Sequence, residues 1–373
     1  MLTRRSLLLS LPAAALAAPF PFAYAARSQD RILVGTAAKE SNGIYQAPWN
    51  SSTGEVGRIV LAAEVTNPSF LAVQRNQLYV CSEAEENSAR AIAYSITPSG
   101  LTKLNEQPSL GDATTFVSAK NKSVFVANYG GGSVTSFHIQ ADGSLSKPVS
   151  HFQFQGSGPN HDRQDHSHVH SALCSPDGRF LLVNDLGLDR IVIYHVNPDT
   201  AELKPNDPPY FSVRAGAGPR HLVWHPNGKW LYNINELDST VDLLDWNSSA
   251  GTLRLRGFVS TLNPDFPKGT AFAGEITMSA DGRFVYVGNR VASETIAVFS
   301  VDASSGALSL QQLASNGGKN TRFCTLDPTG RWMLACNIGS NTLVVLARNP
   351  ETGKLSEVKH TYPLDKPLCL VFA

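Results

Sequence analysis

One short unit recurs seven times along these 373 residues, and a chain built that way can bury its apolar faces only by stacking the copies on one another. Four copies are plain: SPDGRFLLVND (175–185), HPNGKWLYNINE (225–236), SADGRFVYVGNR (279–290) and DPTGRWMLACN (327–337). Each joins a tight turn to an apolar strand. The glycine tolerates positive φ, and a neighbouring Asp or Asn caps the turn. Weaker copies stand upstream at LYVCSE (78–83), VFVANYG (124–130) and ILVGT (32–36). Counted from residues 32, 78, 124, 180, 230, 284 and 332, the steps are 46, 46, 56, 50, 54 and 48 residues. That is the period of a four-stranded propeller blade.

The rest of the unit repeats as well. An alternating strand follows most markers, as in ARAIAYSI (89–96), DRIVIYHV (189–196) and NTLVVLAR (341–348), the pattern of a strand packed between sheets. Next comes a turn with Gly two residues before an apolar side chain, for example Gly143/Leu145, Gly251/Leu253 and Gly306/Leu308. The copy at Ala201/Leu203 lacks the Gly. An apolar segment also precedes each marker except the first, whose partner stands at the far end of the chain as KPLCLVFA (366–373). Pairing those two ends closes a ring and removes the exposed sheet edges. The expected fold is therefore all-β: one seven-bladed β-propeller domain over residues 26–373, with four-stranded blades, closed by the C-terminal strand joining the N-terminal blade.

That topology selects candidate functional residues. The segment before each marker strand is the inner strand of its blade, and the two form a hairpin. The start of one and the end of the other thus share a face of the disc and converge on one mouth of the central channel. Inner-strand starts contribute His168, His170, Arg220, His221, Glu275 and Arg322. Marker-strand ends contribute Glu83, Asn128, Asp185, Asn235, Glu236, Asn289, Arg290 and Asn337. Charged groups are costly to bury without partners, and a ring of them at a channel mouth fits a small anionic or polyhydroxylated ligand. The structural alternative is that these residues tie the blades together. The clustering of titratable groups at Arg220, Glu236 and Arg290 favours function.

The stretches HVHSALCSPDGRF (168–180), DLGLDRI (185–191), GPRHLVWHPNGKWLYNINE (218–236), GEITMSADGRFVYVGNR (274–290) and VFVANYGGGSV (124–134) carry a resemblance to the seven-bladed propeller lactonases, a family that includes bacterial 6-phosphogluconolactonases and fungal carboxymuconate lactonizing enzymes. The resemblance implies an active site made of a histidine, the GPRH arginine, the NE glutamate and the NR arginine. By motif these are His168 or His170, Arg220, Glu236 and Arg290. It implies hydrolysis of a sugar lactone, 6-phosphogluconolactone or an unphosphorylated aldonolactone, with no cofactor. Glu236 or His168 would act as general base and Arg290 would stabilise the oxyanion. Arg220 would anchor the substrate, with Glu275 orienting an arginine. His221, Arg322, Asn128 and Asn337 would complete the binding ring. A lactone-forming cycloisomerase and a non-catalytic ligand- or protein-binding propeller are the alternative functions.

Other chemistries find little support. With 31 basic and 31 acidic side chains and only 17% charged residues, the chain lacks the basic surplus of a nucleic-acid binder. No GxSxG elbow is present, and the glycines at 130–132 open no helix, so they make no phosphate loop. The stretch HDRQDHSHVH (161–170) invites a metal reading. An HxH pair on a strand supplies two ligands where a catalytic zinc usually has three, so no metal is expected. Five cysteines, an odd count without CxxC spacing, are not a disulfide framework.

The first 25 residues read as an export signal. Arg4 and Arg5 precede an apolar run at 6–20, and Ala23-Tyr24-Ala25 offers a small-x-small cleavage site. TRRSLLL (3–9) has the twin-arginine form, which exports folded proteins. The mature protein is expected in the periplasm or secreted, without a membrane span, and as a monomer.

Overall fold

The computed structural model describes residues 30–37, 42–85, 88–267 and 269–373; the expected export signal lies outside them. Among the described residues every regular element is a strand, and these form seven antiparallel sheets. In chain order, six blades have the regular plan of inner, second, third and outer strand. Blade 4, for example, runs through Val169–Cys174, Phe180–Asp185, Arg190–Val196 and Leu203–Ser212. Blade 1 is assembled from both ends of the chain. Its inner strand is Pro367–Phe372, which pairs with Arg31–Thr36 through Ile32↔Phe372 and Val34↔Leu370. Its outer strand is broken into Glu55–Val56 and Val60–Glu64. The inner strands contact one another around a complete circle, Pro367–Phe372 lying between those of blades 7 and 2. The fold is a seven-bladed β-propeller.

The alternation seen in the sequence has a direct physical outcome. The core is not one mass but seven apolar layers, each shared by two adjacent blades. In the second strand of blade 4, Leu181 and Val183 face blade 3, while Phe180 and Leu182 face blade 5. Successive side chains point to opposite faces of a strand, so a strand apolar on both faces is one that belongs to two interfaces. The recurring Gly turn also acquires a reason. Phe180, Trp230, Phe284 and Trp332 press on Gly251, Gly306, Gly353 and Gly54 of the following blade, where a Cβ would stand 2.2–2.7 Å from the ring. These glycines have φ between 65° and 76°, so close approach and backbone conformation both exclude larger residues. Ala201, which replaces the glycine in blade 4, adopts the same conformation at φ 65°.

One irregularity positions the site. Close to its mouth end, each inner strand slips register against its neighbour, and residues bulge out of the ladder. The displaced residues are Leu368, Ser69, Thr115, His170, Arg220, Gly274 with Glu275, and Arg322. A bulge re-aims a side chain that regular pleating would send into the blade interface. Six of these residues, Leu368, Thr115, His170, Arg220, Glu275 and Arg322, line one narrow crevice on the channel axis. Beneath them Phe70, Phe116, His221 and Phe323 meet edge-to-face or tilted, with ring centroids 4.3–5.7 Å apart, and plug the channel with aromatic rings.

Candidate active site

Glu236 sits at the centre of the mouth, at the end of the second strand of blade 5, and is 1% exposed. Its carboxylate is gripped by three guanidiniums. Arg220 Nε donates to Oε2 at 3.0 Å, Arg290 Nη2 lies 2.9 Å from the same oxygen, and Arg163 Nη2 donates to Oε1 at 2.5 Å. Burial works against the charged carboxylate, but Arg290, Arg220 and Arg163 outweigh it and hold the carboxyl at about 2. A carboxylate so pinned is a feeble base. Its effect is to fix three arginines in place.

Arg220 is itself 1% exposed. Burial and the neighbouring Arg290 lower it to about 10, so it stays charged at neutral pH. Its second nitrogen also donates to the Gly274 carbonyl, in the bulge of blade 6. Arg290 keeps its buried Nε without a hydrogen-bond partner. A buried, unpaired N–H is costly.

A second chain of contacts runs down the channel wall. Glu275 Oε1 lies 2.9 Å from His221 Nδ1, and His221 Nε2 lies 3.2 Å from His170 Nδ1. His170 Nε2 lies 3.9 Å from Glu236 Oε2. Burial lowers both histidines, His170 strongly, with the Arg220 charge adding to the effect, so both rings are neutral. The tautomers then follow in sequence. A carboxylate only accepts, so His221 carries its proton on Nδ1 and offers the Nε2 lone pair. His170 must donate from Nδ1, which leaves the lone pair of its Nε2 facing the arginine–glutamate cluster.

Arg322, from the bulge of blade 7, reaches across to Glu83 Oε2 at 3.0 Å and Thr115 Oγ1 at 3.0 Å. His168 stacks on Tyr129 with ring centroids 4.4 Å apart, and its Nδ1 donates to the Tyr129 carbonyl at 3.1 Å. Buried Asp185 fixes the approach of this segment, accepting from the His168 amide at 2.9 Å and from the Ser167 hydroxyl at 2.5 Å.

The structure thus brings His168, His170, Arg220, His221, Glu236, Glu275, Arg290 and Arg322 to one mouth. Asn128 and Asn337 do not join them. The Asn128 amide accepts from Thr114 and donates to Ser109 and Ser133; that of Asn337 accepts from Thr321 and donates to Asn316. Both are fully buried and hold loops of their own surroundings together, so their place at the strand end is structural. Glu275 pairs with His221 and not with an arginine, contrary to the sequence expectation.

Sequence reasoning missed Arg163, Tyr129, Asp165 and His166. Tyr129 directly follows the end of the second strand of blade 3, a position the topological rule could have included. Arg163, Asp165 and His166 belong to the HDRQDHSHVH stretch, weighed only as a metal site through its histidines and aspartates and set aside. Nothing local in that stretch says that it folds back over blade 5.

Comparisons with known proteins identify the family and the fold. Residues 31–372 match the family model described as lactonase, 7-bladed beta-propeller. The 6-phosphogluconolactonase of Bacillus subtilis is 34% identical over 345 residues, covering 91% of this chain and 97% of that protein. The 6-phosphogluconolactonase of Formosa agariphila is 32% identical over 333 residues, covering 87% and 93%. Among solved structures, the periplasmic gluconolactonase PpgL of Pseudomonas aeruginosa superposes with a TM-score of 0.87 at 32% identity, covering 92% of this chain and 98% of that one.

Proposed function

The chain belongs to the seven-bladed β-propeller lactonases, a family of lactone hydrolases, and from that membership we propose that its substrate is the 1,5-lactone of an aldonic acid, opened by water at the channel mouth. The observation that carries the chemistry is the chain of contacts from Glu275 through His221 to His170, which turns the His170 Nε2 lone pair toward the arginines clamped on Glu236. A neutral imidazole takes a proton from the attacking water as its oxygen bonds to the lactone carbonyl carbon; such a base typically contributes 10²–10⁴-fold. The charge that develops on the carbonyl oxygen meets the Arg290 guanidinium, held in place by Glu236, and fixed donors of this kind stabilise an oxyanion without reorganising. As the bond from carbonyl carbon to ring oxygen breaks, His170 returns the proton to the departing alkoxide. The product is the open-chain hydroxy acid. Arg163 and Arg322 stand where they can grip the substrate's hydroxyls or an anionic substituent.

The general base in this reading is His170, and neither Glu236 nor His168, whose ring nitrogens face Asp165 and the Tyr129 carbonyl. We further propose that residues 1–25 export the protein. The likeness to a periplasmic gluconolactonase supports that placement, and with it an unphosphorylated aldonolactone as substrate. The test is hydrolysis of glucono-1,5-lactone and of 6-phosphogluconolactone by the purified protein, each corrected for spontaneous opening. The expected result is acceleration of both, with glucono-1,5-lactone preferred. Preference for the phosphorylated lactone would overturn the substrate assignment. No acceleration of either would overturn the hydrolytic reading in favour of lactone formation or ligand binding.

A further inference from the structure

Asp165, His166 and His168 come together beside the mouth, and with neutral rings their hydrogen bonds do not balance. Asp165 Oδ1 lies 3.0 Å from His168 Nε2, and Asp165 Oδ2 lies 2.8 Å from His166 Nδ1. Behind each ring stands a backbone carbonyl. His168 Nδ1 is 3.1 Å from the Tyr129 oxygen, and His166 Nε2 is 3.1 Å from the Gly130 oxygen. A carbonyl can only accept, so each histidine carries an N–H on that side. A neutral imidazole has one N–H. With neutral rings, two imidazole lone pairs and two carboxylate oxygens are therefore turned toward one another, an arrangement that calls for positive charge among them, as protons on the rings or as one metal ion.

From this geometry we infer that Asp165, His166 and His168 form a three-ligand site for a divalent metal ion of the zinc class. The donor atoms all lie within 4.8 Å of one another. Tetrahedral zinc with ligands at about 2.0–2.1 Å sets neighbouring donors roughly 3.3 Å apart, so the two shorter contacts need to open by only a few tenths of an ångström. The carbonyls of Tyr129 and Gly130 supply the outer hydrogen bonds that metal-ligating histidines almost always make, which fix the tautomer and aim the free nitrogen at the ion. Two nitrogens and one carboxylate suit zinc or cobalt better than magnesium or calcium, which prefer all-oxygen sites. Asp165 and His166 are exposed, so the fourth position opens to solvent. The expectation of two ligands from the HxH spacing stopped short of this set: His170 is turned into the channel, and Asp165 is the third donor beside His166 and His168.

The same segment carries Arg163, two residues from Asp165, and Arg163 grips Glu236. A bound ion would fasten the loop that lays this arginine over the mouth.

The test is titration of the purified protein with Zn²⁺ by calorimetry and with Co²⁺ by visible absorption, together with the Asp165→Asn and His166→Gln variants. Circular dichroism would verify that each variant is folded. Expected are one ion per chain, the absorption bands of four- or five-coordinate Co²⁺, a Zn²⁺-dependent rise in the melting temperature, and at least tenfold weaker binding in each variant. None of these readings depends on lactone hydrolysis. Absence of binding at micromolar metal, or binding that both variants retain at full strength, would overturn the assignment; the latter would place the ion on other surface histidines.

Discussion

Replacing Glu236 by Gln keeps the shape of the side chain and removes the one charge on which three arginines converge. The structure sets the size of the effect. A carboxyl held at about 2 instead of its ordinary 4.5 is worth about 3 kcal/mol of folding free energy, since each tenfold in binding of the proton is worth roughly 1.4 kcal/mol. Breaking a buried ion pair by removing one partner costs a similar ~3–5 kcal/mol. With an unfolding entropy near 2 cal/mol/K per residue over roughly 340 residues, that corresponds to a melting temperature about 4 °C lower at pH 7. The pH dependence carries its own sign. The folded-state value is depressed, so the stabilisation is fully present above the unfolded value of 4.5 and disappears as pH falls through about 2. At pH 3 the difference between wild type and Glu236→Gln should therefore be about two-fifths of that at pH 7, because the protonated wild-type side chain resembles the amide. Thermal unfolding of both proteins, followed by circular dichroism at pH 7, 5 and 3, measures this directly. A variant melting within 1 °C of wild type at pH 7, or a difference that is the same at pH 7 and pH 3, would refute the clamped-carboxylate reasoning.

Three further outcomes follow from the same geometry. His170→Gln should lower kcat by about 10²–10⁴ with little change in KM, and Glu275→Gln should lower it less, since that residue only orients the relay; steady-state kinetics on the lactone would reveal a KM-dominated loss if His170 merely bound substrate. Cys81, Cys174, Cys324, Cys336 and Cys369 are all free and buried, and burial raises every one of these thiols, Cys81 and Cys174 to about 12. Iodoacetamide should leave all five unmodified in the native protein and label them in denaturant, as mass spectrometry would report. Deleting residues 367–373 should abolish the cooperative unfolding transition, because it strips the inner strand from blade 1 and bares the edge of Arg31–Thr36.

The molecule divides clearly between what local pattern determined and what tertiary structure decided. Turn chemistry and apolar alternation recur within each unit of about fifty residues, so the blades, their number and the closing of the ring by KPLCLVFA were legible before any coordinates. So was the convergence of Arg220, Glu236 and Arg290, because in a propeller the ends of equivalent strands must share a mouth. The same rule over-reached at Asn128 and Asn337. Position at a strand end is a matter of topology, but whether an amide turns toward the channel or binds the adjoining loop depends on its immediate neighbours. The bulges that swing His170, Arg220 and Arg322 into the channel are one-residue slips between strands, to which sequence periodicity is blind. Arg163 was the least legible of all. It lies in an irregular stretch, 73 residues before the glutamate it grips, and only the folding of that stretch across two blades brings the charges together. The repeat determined the scaffold because each unit carries its own pattern; the chemistry at the mouth had to wait for the tertiary structure, because its decisive contacts run between units that share none.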